Sequence, residues 1–131
     1  MGKVSTYNAK DCVITVDGVY ITGLGEDMVS CEKDEDNVNA VVGAQGDVVV
    51  NEVNNDLGTI TITVQGTSPQ LPMLKKLAKT KAIIPVWVNN KQLKEKVGGS
   101  KAIIKKTPSL EYGAELADRE IEIQVFDYTV E

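Results

Sequence analysis

Histidine is absent from this 131-residue chain. That removes the Ser-His-Asp arrangement and every histidine proton shuttle from consideration. Cysteine is scarce: Cys12 and Cys31 stand 19 positions apart, without the close-spaced ligand pairs of a zinc site. Each falls in a stretch that reads as strand. Buried reduced thiols are the expectation, with a disulfide between neighbouring strands as the alternative. No apolar run approaches the roughly 18 residues that span a bilayer, and Met1 to Ser5 carries no apolar signal region. The chain therefore reads as a cytosolic product without a membrane anchor. Aromatics amount to four Tyr, one Phe and one Trp. A core has to be built from Val, Ile and Leu, which favours sheet.

What is present points the same way. From about Leu57 to Gln65, Ile60, Ile62 and Val64 alternate with Thr59, Thr61, Thr63 and Gln65, so one face is apolar and the other hydroxylated. Asp17-Gly18 lies between Asp11–Val16 and Val19–Thr22, and an Asp-Gly pair between β-rich runs is a hairpin turn with positive φ at both residues. A third strand is expected around Met28 to Glu32. The last strand is Glu120–Phe126, with Ile121, Ile123 and Val125 inward. Ser68 reads as a helix N-cap with Pro69 at the first helical position. Leu74, Leu77 and Ala78 form the buried stripe, joined by Leu71, and Lys75, Lys76 and Lys79 cover the rest. Ile83–Asn89 reads as a strand that Pro85 pushes towards an edge. Val97–Ser100 reads as a turn and Lys101–Lys106 as a partner strand. Leu110–Leu116 is ambiguous.

Between the third strand and the threonine strand lies a stretch of a different kind, from about residue 32 to 56. It opens with Glu32-Lys33-Asp34-Glu35-Asp36 and passes through Val41-Val42-Gly43-Ala44-Gln45-Gly46-Asp47. Its length and polarity predict an extended arm, within which Val48–Val50 pairs as a strand. The sum is one mainly β domain over residues 1–131: an antiparallel β-sandwich or barrel of six to eight strands, one flanking α-helix at about residues 69–79, and the long arm.

No motif carries chemistry. Gly43-Ala44-Gln45-Gly46 is glycine-rich but lacks the Gly-Lys-Ser/Thr ending of a phosphate loop. Asp34, Glu35 and Asp36 lack the ligand spacing and central glycine of a calcium loop. No catalytic residue, cofactor or metal is implied, and the chain reads as no enzyme.

Charge is segregated along the chain. Residues 1–74 carry 11 acids against 3 bases, residues 75–106 carry 10 bases against one acid, and residues 107–131 carry 7 acids against one base, for a net charge of −5. The basic middle suits a nucleic-acid patch, a solvated face, or the acidic segment of a neighbouring copy. Its one aromatic, Trp87, gives it none of the aromatic interleaving of single-strand binders. Trp87 reads as a core or subunit-interface anchor.

An Asp-Gly hairpin, an acid-rich arm and Val42-Gly43-Ala44-Gln45-Gly46 are followed by Asn54-Asn55, Gly58-Thr59-Ile60-Thr61-Ile62-Thr63, Thr67-Ser68-Pro69 and a short helix. This order resembles the tail-tube, or inner-tube, proteins of contractile-tailed bacteriophages and of phage-tail-like bacteriocins, over about Asp11 to Lys79. The resemblance implies homo-hexameric rings that stack into a hollow tube inside a contractile sheath. Baseplate and tail-terminator proteins would be further partners. DNA would pass through transiently if the particle is a phage. The protein would be assembled in the bacterial cytoplasm and reside in the virion tail or phage-tail-like particle.

On that reading Glu32, Asp34, Glu35, Asp36, Val41, Val42, Gly43 and Gly46 of the arm reach a neighbouring subunit or ring, with Lys75, Lys76 and Lys79 as their partners. Thr59, Thr61 and Thr63 face the lumen, although a threonine face on ordinary outer surface fits the pattern equally well. The alternative is a monomeric β-sandwich binding module of adhesin or carbohydrate-binding type, which calls for an aromatic platform or calcium loop.

Overall fold

The computed structural model describes residues 2–131; Met1, the first residue of the Met1 to Ser5 stretch, lies outside the described residues. A short 3-10 turn at Ala9–Asp11 leads into β1 (Cys12–Val16), β2 (Val19–Tyr20) and β3 (Leu24–Lys33). Next come β4 (Val38–Val42), β5 (Val48–Glu52), β6 (Gly58–Val64) and helix α1 (Leu71–Thr80). The chain closes with β7 (Ile84–Asn90), β8 (Glu95–Ile104), β9 (Arg119–Val125) and β10 (Thr129–Val130). All strands pair antiparallel, in the order β2-β1-β7-β8-β9-β6-β3, with β10 added to β8 and β4-β5 forming a separate two-stranded sheet.

The alternating residues build the core. Ile60 lies opposite Ile123 and Ile62 opposite Ile121, and all four are fully buried. Ile14, Val16, Val86, Ile104 and Val125 extend the same face, and Leu71, Leu74 and Ala78 of α1 close over it. Each such Ile or Leu contributes about 1.5–3 kcal/mol by leaving water. Cys12 and Cys31 pack against this one cluster although β1 and β3 stand near opposite ends of the strand order, so the sheet curls round its core. Both are free thiols. Burial pushes Cys31 up to about 11, with Cys12 adding to the shift, so it is a poor nucleophile at neutral pH.

Asp17 and Gly18 have φ of 52° and 77°, the left-handed pair that the β1–β2 turn demands. Elsewhere the structure corrects the expectations, and the strands among the described residues number ten. Helix α1 begins at Leu71, with Gln70 as N-cap and Pro72 in the first turn, so Pro69 lies outside it. Ser68 is buried and donates its hydroxyl to Thr22 O at 2.7 Å, which leaves it no role as a cap. Gln70 Oε1 accepts from Thr22 N and Thr22 Oγ1 at 2.8 and 2.7 Å, tying the helix start to the β2–β3 connection. Pro85 is no edge residue, because β7 runs between β1 and β8. Its carbonyl accepts from Asp17 N at 2.9 Å, so its missing N–H faces the turn that ends β1 and breaks no bond of the ladder to β8. The arm over residues 32–56 is not irregular either. β3 runs on to Lys33, and Val38–Val42 pairs with Val48–Glu52 as a hairpin.

Val97–Ser100 is likewise no turn but the interior of β8. The chain is pinned there by Asp127. Its Oδ2 accepts from Ser100 N at 3.0 Å and Ser100 Oγ at 2.6 Å, and its Oδ1 accepts from Lys101 N at 3.0 Å. Burial alone would raise this carboxyl, but the Ser100 hydroxyl and the two backbone donors outweigh it and hold Asp127 below the ordinary carboxylate range. A depressed folded value means that the stabilisation is present above the unfolded pKa of about 3.9 and lost as pH falls through the folded one. Asp127→Asn is therefore expected to lower the urea midpoint near neutrality and to flatten the acid limb of midpoint against pH. An acid limb of wild-type steepness in the variant would remove Asp127 from the account.

Candidate assembly surfaces

Every residue of β4 and β5 is exposed. The register Val38↔Glu52, Ala40↔Val50 and Val42↔Val48 puts four valines and an alanine on one face of the hairpin, and Val41↔Val49 sits on the other between Asn39 and Asn51. The six valines are 52–65% exposed. At the far end Gly43 N donates to Asp47 O (2.7 Å), Gly46 N donates to Gly43 O (3.0 Å), and Gly46 takes φ +94°. Val41, Val42, Gly43 and Gly46 thus form the tip. A lone two-stranded hairpin is marginal in water, and contiguous exposed apolar patches are uncommon on monomeric proteins. Six acids flank it, Asp34, Glu35, Asp36, Asp47, Glu52 and Asp56, with no base between them.

The threonines lie on the outer side of the sheet. Thr59, Thr61 and Thr63 alternate with fully buried Ile60, Ile62 and Val64 and are half-buried themselves. Their neighbours across the strands are polar. Gln124, Glu122 and Glu120 of β9 stand opposite Thr59, Thr61 and Thr63, and Glu32 and Ser30 of β3 stand opposite Thr59 and Thr61. A depression of about 760 Å³ on this side is bordered by Thr61 and Thr63, by five acids that include Asp27, Asp118, Glu120 and Glu122, and by one base, Lys106. Threonine spacing alone could not show that the surface is also acidic. The outward alternation of Glu120, Glu122 and Gln124 in the last strand was the available signal.

Asp34 belongs to this surface rather than to the free acids. Its Oδ1 accepts from Thr59 Oγ1 at 2.7 Å and its Oδ2 from Gln124 Nε2 at 3.0 Å. The hydrogen bond from Thr59 and then that from Gln124, with Lys105 adding a favourable charge, hold its carboxyl below the usual range. The structure thus joins Asp34 to Thr59 and sets Glu32 across from it, while no hydrogen bond of Glu35 or Asp36 side chains occurs among the described residues.

The lysines of α1 make no ion pair with the acids of the hairpin among the described residues. Lys76 and Lys79 on α1 are exposed and Lys75 is half-buried; the helix carries no acid. Among the described residues the one ion pair is Lys105–Glu122, at 3.1 Å. The expected pairing of arm acids with Lys75, Lys76 and Lys79 is therefore not made within a subunit. Trp87 is half-buried on the outer side of β7, with Lys96 Nζ 4.3 Å from its ring centroid. Beside it runs a groove of about 450 Å³ lined by Val13, Thr15, Tyr20, Lys91, Lys94 and Lys96.

A curled antiparallel sheet that leaves an apolar hairpin uncovered and its charges segregated belongs to the class of β-rich structural subunits. The chain belongs to the bacteriophage PhiTE tail tube protein family, whose profile matches residues 5–125. No curated protein matches the sequence. Among solved structures, the chain is similar to the tube-terminating cap of the anti-feeding prophage, with TM-score 0.68, 10% identity, and 100% of this chain and 94% of that one covered. It is similar to the sheath/tube terminator of the PVC extracellular contractile injection system in its extended state, with TM-score 0.66, 10% identity and 99% of each chain covered. A chain of the extended PVC sheath-tube complex gives TM-score 0.62 and 11% identity over 96% of this chain and 91% of that one. At these identities the likeness is one of fold.

Proposed function

We propose that the protein is the repeating subunit of the hollow inner tube of a contractile phage tail or phage-tail-like particle, closing as six-membered rings that stack inside a sheath. Family membership supports the tube, and the sheath-tube and terminator complexes among the structural neighbours support a sheath and a terminator as partners. The observation that carries the assembly reading is the β4–β5 hairpin, with ten exposed residues, six valines and acidic flanks. The hairpin covers a neighbouring copy, and the uncompensated lysines Lys75, Lys76 and Lys79 receive its acids. Head-to-tail contacts of this kind close into rings or propagate as stacks.

The threonine face, with Glu120, Glu122 and Glu32 beside it, lines the bore. An acidic, hydroxylated wall repels phosphate, so DNA slides instead of binding, as a basic wall would make it do.

Negative-stain electron microscopy of the purified protein, at high concentration and low salt, tests this. Stacked rings or hollow tubes of uniform width are expected. Single rings that never stack would move the reading to a tube terminator. Monomers at every concentration and salt, with or without tube ends as nuclei, would overturn it.

A further inference from the structure

Asp34, Glu35 and Asp36 are consecutive acids at the root of the hairpin, yet only Asp34 is engaged inside the subunit. Its backbone N–H donates to Leu57 O at 3.0 Å, closing the stem, and both carboxylate oxygens are taken by Thr59 of β6 and Gln124 of β9. Gln124 Nε2 also donates to Gly58 O at 2.8 Å, so the amide that holds Asp34 is itself fixed to the β6 backbone. Three other stem contacts stay local, Lys33 Nζ to Asn37 Oδ1, Val53 N to Asn37 O at 2.8 Å and Leu57 N to Asn55 Oδ1 at 3.0 Å, and one backbone bond, Tyr128 N to Asp56 O at 3.0 Å, holds the returning strand. Among the described residues, Asp34 is the one stem side chain that reaches across two strands of the main sheet.

We propose that Asp34 is the positioning residue that aims the β4–β5 hairpin, and that Glu35 and Asp36 are the acids offered to a partner. The hairpin buries none of its ten strand residues against the body, so its direction is set at the stem. Five strand residues span about 17 Å. A tilt of about 15° at the root therefore moves the tip by roughly 4–5 Å, more than a hydrogen-bond length. Two opposed donors on one carboxylate resist that tilt. Alanine removes both acceptors, whereas asparagine can keep the pair, its Oδ1 accepting from Gln124 and its Nδ2 donating to the Thr59 hydroxyl.

The purpose of the aim rests on the tube reading, but the aim itself can be measured on single subunits. Amide hydrogen exchange of the full chain is followed at high salt and low concentration, where copies are apart. Asp34→Ala is expected to speed exchange of the residue-34, Val53 and hairpin amides about tenfold while β6 and β9 stay protected. Thr59→Val keeps a strand-favouring residue, removes one donor, and is expected to act in the same direction. The E35Q/D36N double variant is expected to leave exchange unchanged. Stem and hairpin exchange at the wild-type rate in both Asp34→Ala and Thr59→Val would overturn the proposal, whether or not tubes form. A like acceleration in E35Q/D36N would also overturn it, since the effect would then be one of acidity alone.

Discussion

Gly98→Ala is expected to cost the subunit about 2–6 kcal/mol, a large share of its stability. Gly98 lies inside β8 opposite Trp87, with φ +143°, a conformation that L side chains rarely adopt. An added Cβ would collide with the Val86 carbonyl oxygen and stand 3.0 Å from Val86 C and 3.1 Å from Trp87 Cα. Those atoms are backbone of β7, held between β1 and β8, and they cannot turn aside as the end of a side chain can. Backbone strain of this kind costs on the order of 1–3 kcal/mol, and displacing a packed strand adds about as much again. A domain of this size has only about 5–15 kcal/mol to lose. Gly99→Ala meets Val125 Cγ1 at 2.5 Å and the Asp127 carbonyl oxygen at 2.9 Å and crowds the Asp127 carboxylate, but adds no positive-φ strain, and is the milder of the two for that reason. Urea denaturation and soluble yield decide the matter. A Gly98→Ala protein with a wild-type midpoint would show that the β7–β8 approach is looser than described.

The same glycines show where the sequence misleads. Adjacent glycines usually punctuate, and Val97–Ser100 reads as a turn for that reason. Here they are needed because the Val86 carbonyl and the Asp127 side chain crowd the strand, and both lie far from it in the chain. Other parts of the fold are legible because one local pattern sets them. Period-two burial writes β6 and β9 directly into the chain, and Asp17-Gly18 writes the first turn. The Leu74 and Ala78 spacing gives the body of α1, though not its start, since the side chain of Ser68 is spent on Thr22.

The hairpin is harder to read because both its faces are exposed. With no buried side there is no clean alternation, and only Val48–Val50 stands out as strand. Within the candidate site, the valines, glycines and acids at the tip and stem are visible as composition. The division of labour among the three acids is not. Asp34 differs from its neighbours through Thr59 and Gln124, which are 25 and 90 positions away.

The largest functional effect is expected from reversing the two outward acids. The E35K/D36K double variant should fold as the wild type does, since both positions are exposed. It should form no tubes under conditions where the wild type assembles. An exposed ion pair is worth only about 0.2–1 kcal/mol, so in one contact the change would be minor. In a ring of six the same sign change recurs at every interface. A shift of about 1 kcal/mol per subunit, attraction turned to repulsion, becomes about 6 kcal/mol per ring, equivalent to more than four decades in the ring equilibrium. K76E/K79E on α1 should fail in the same way, and the two double variants mixed as one quadruple variant should recover tubes, because every reversed acid then meets a reversed base. Electron microscopy and sedimentation read all three. Raising salt should weaken wild-type assembly as the screening length falls from about 10 Å at 0.1 M towards 3 Å at 1 M. Failure of the quadruple variant while each double variant stays folded would separate the two surfaces. The acids would still serve assembly, but α1 would not be their partner, and the lysines at the Trp87 groove would be the next to reverse.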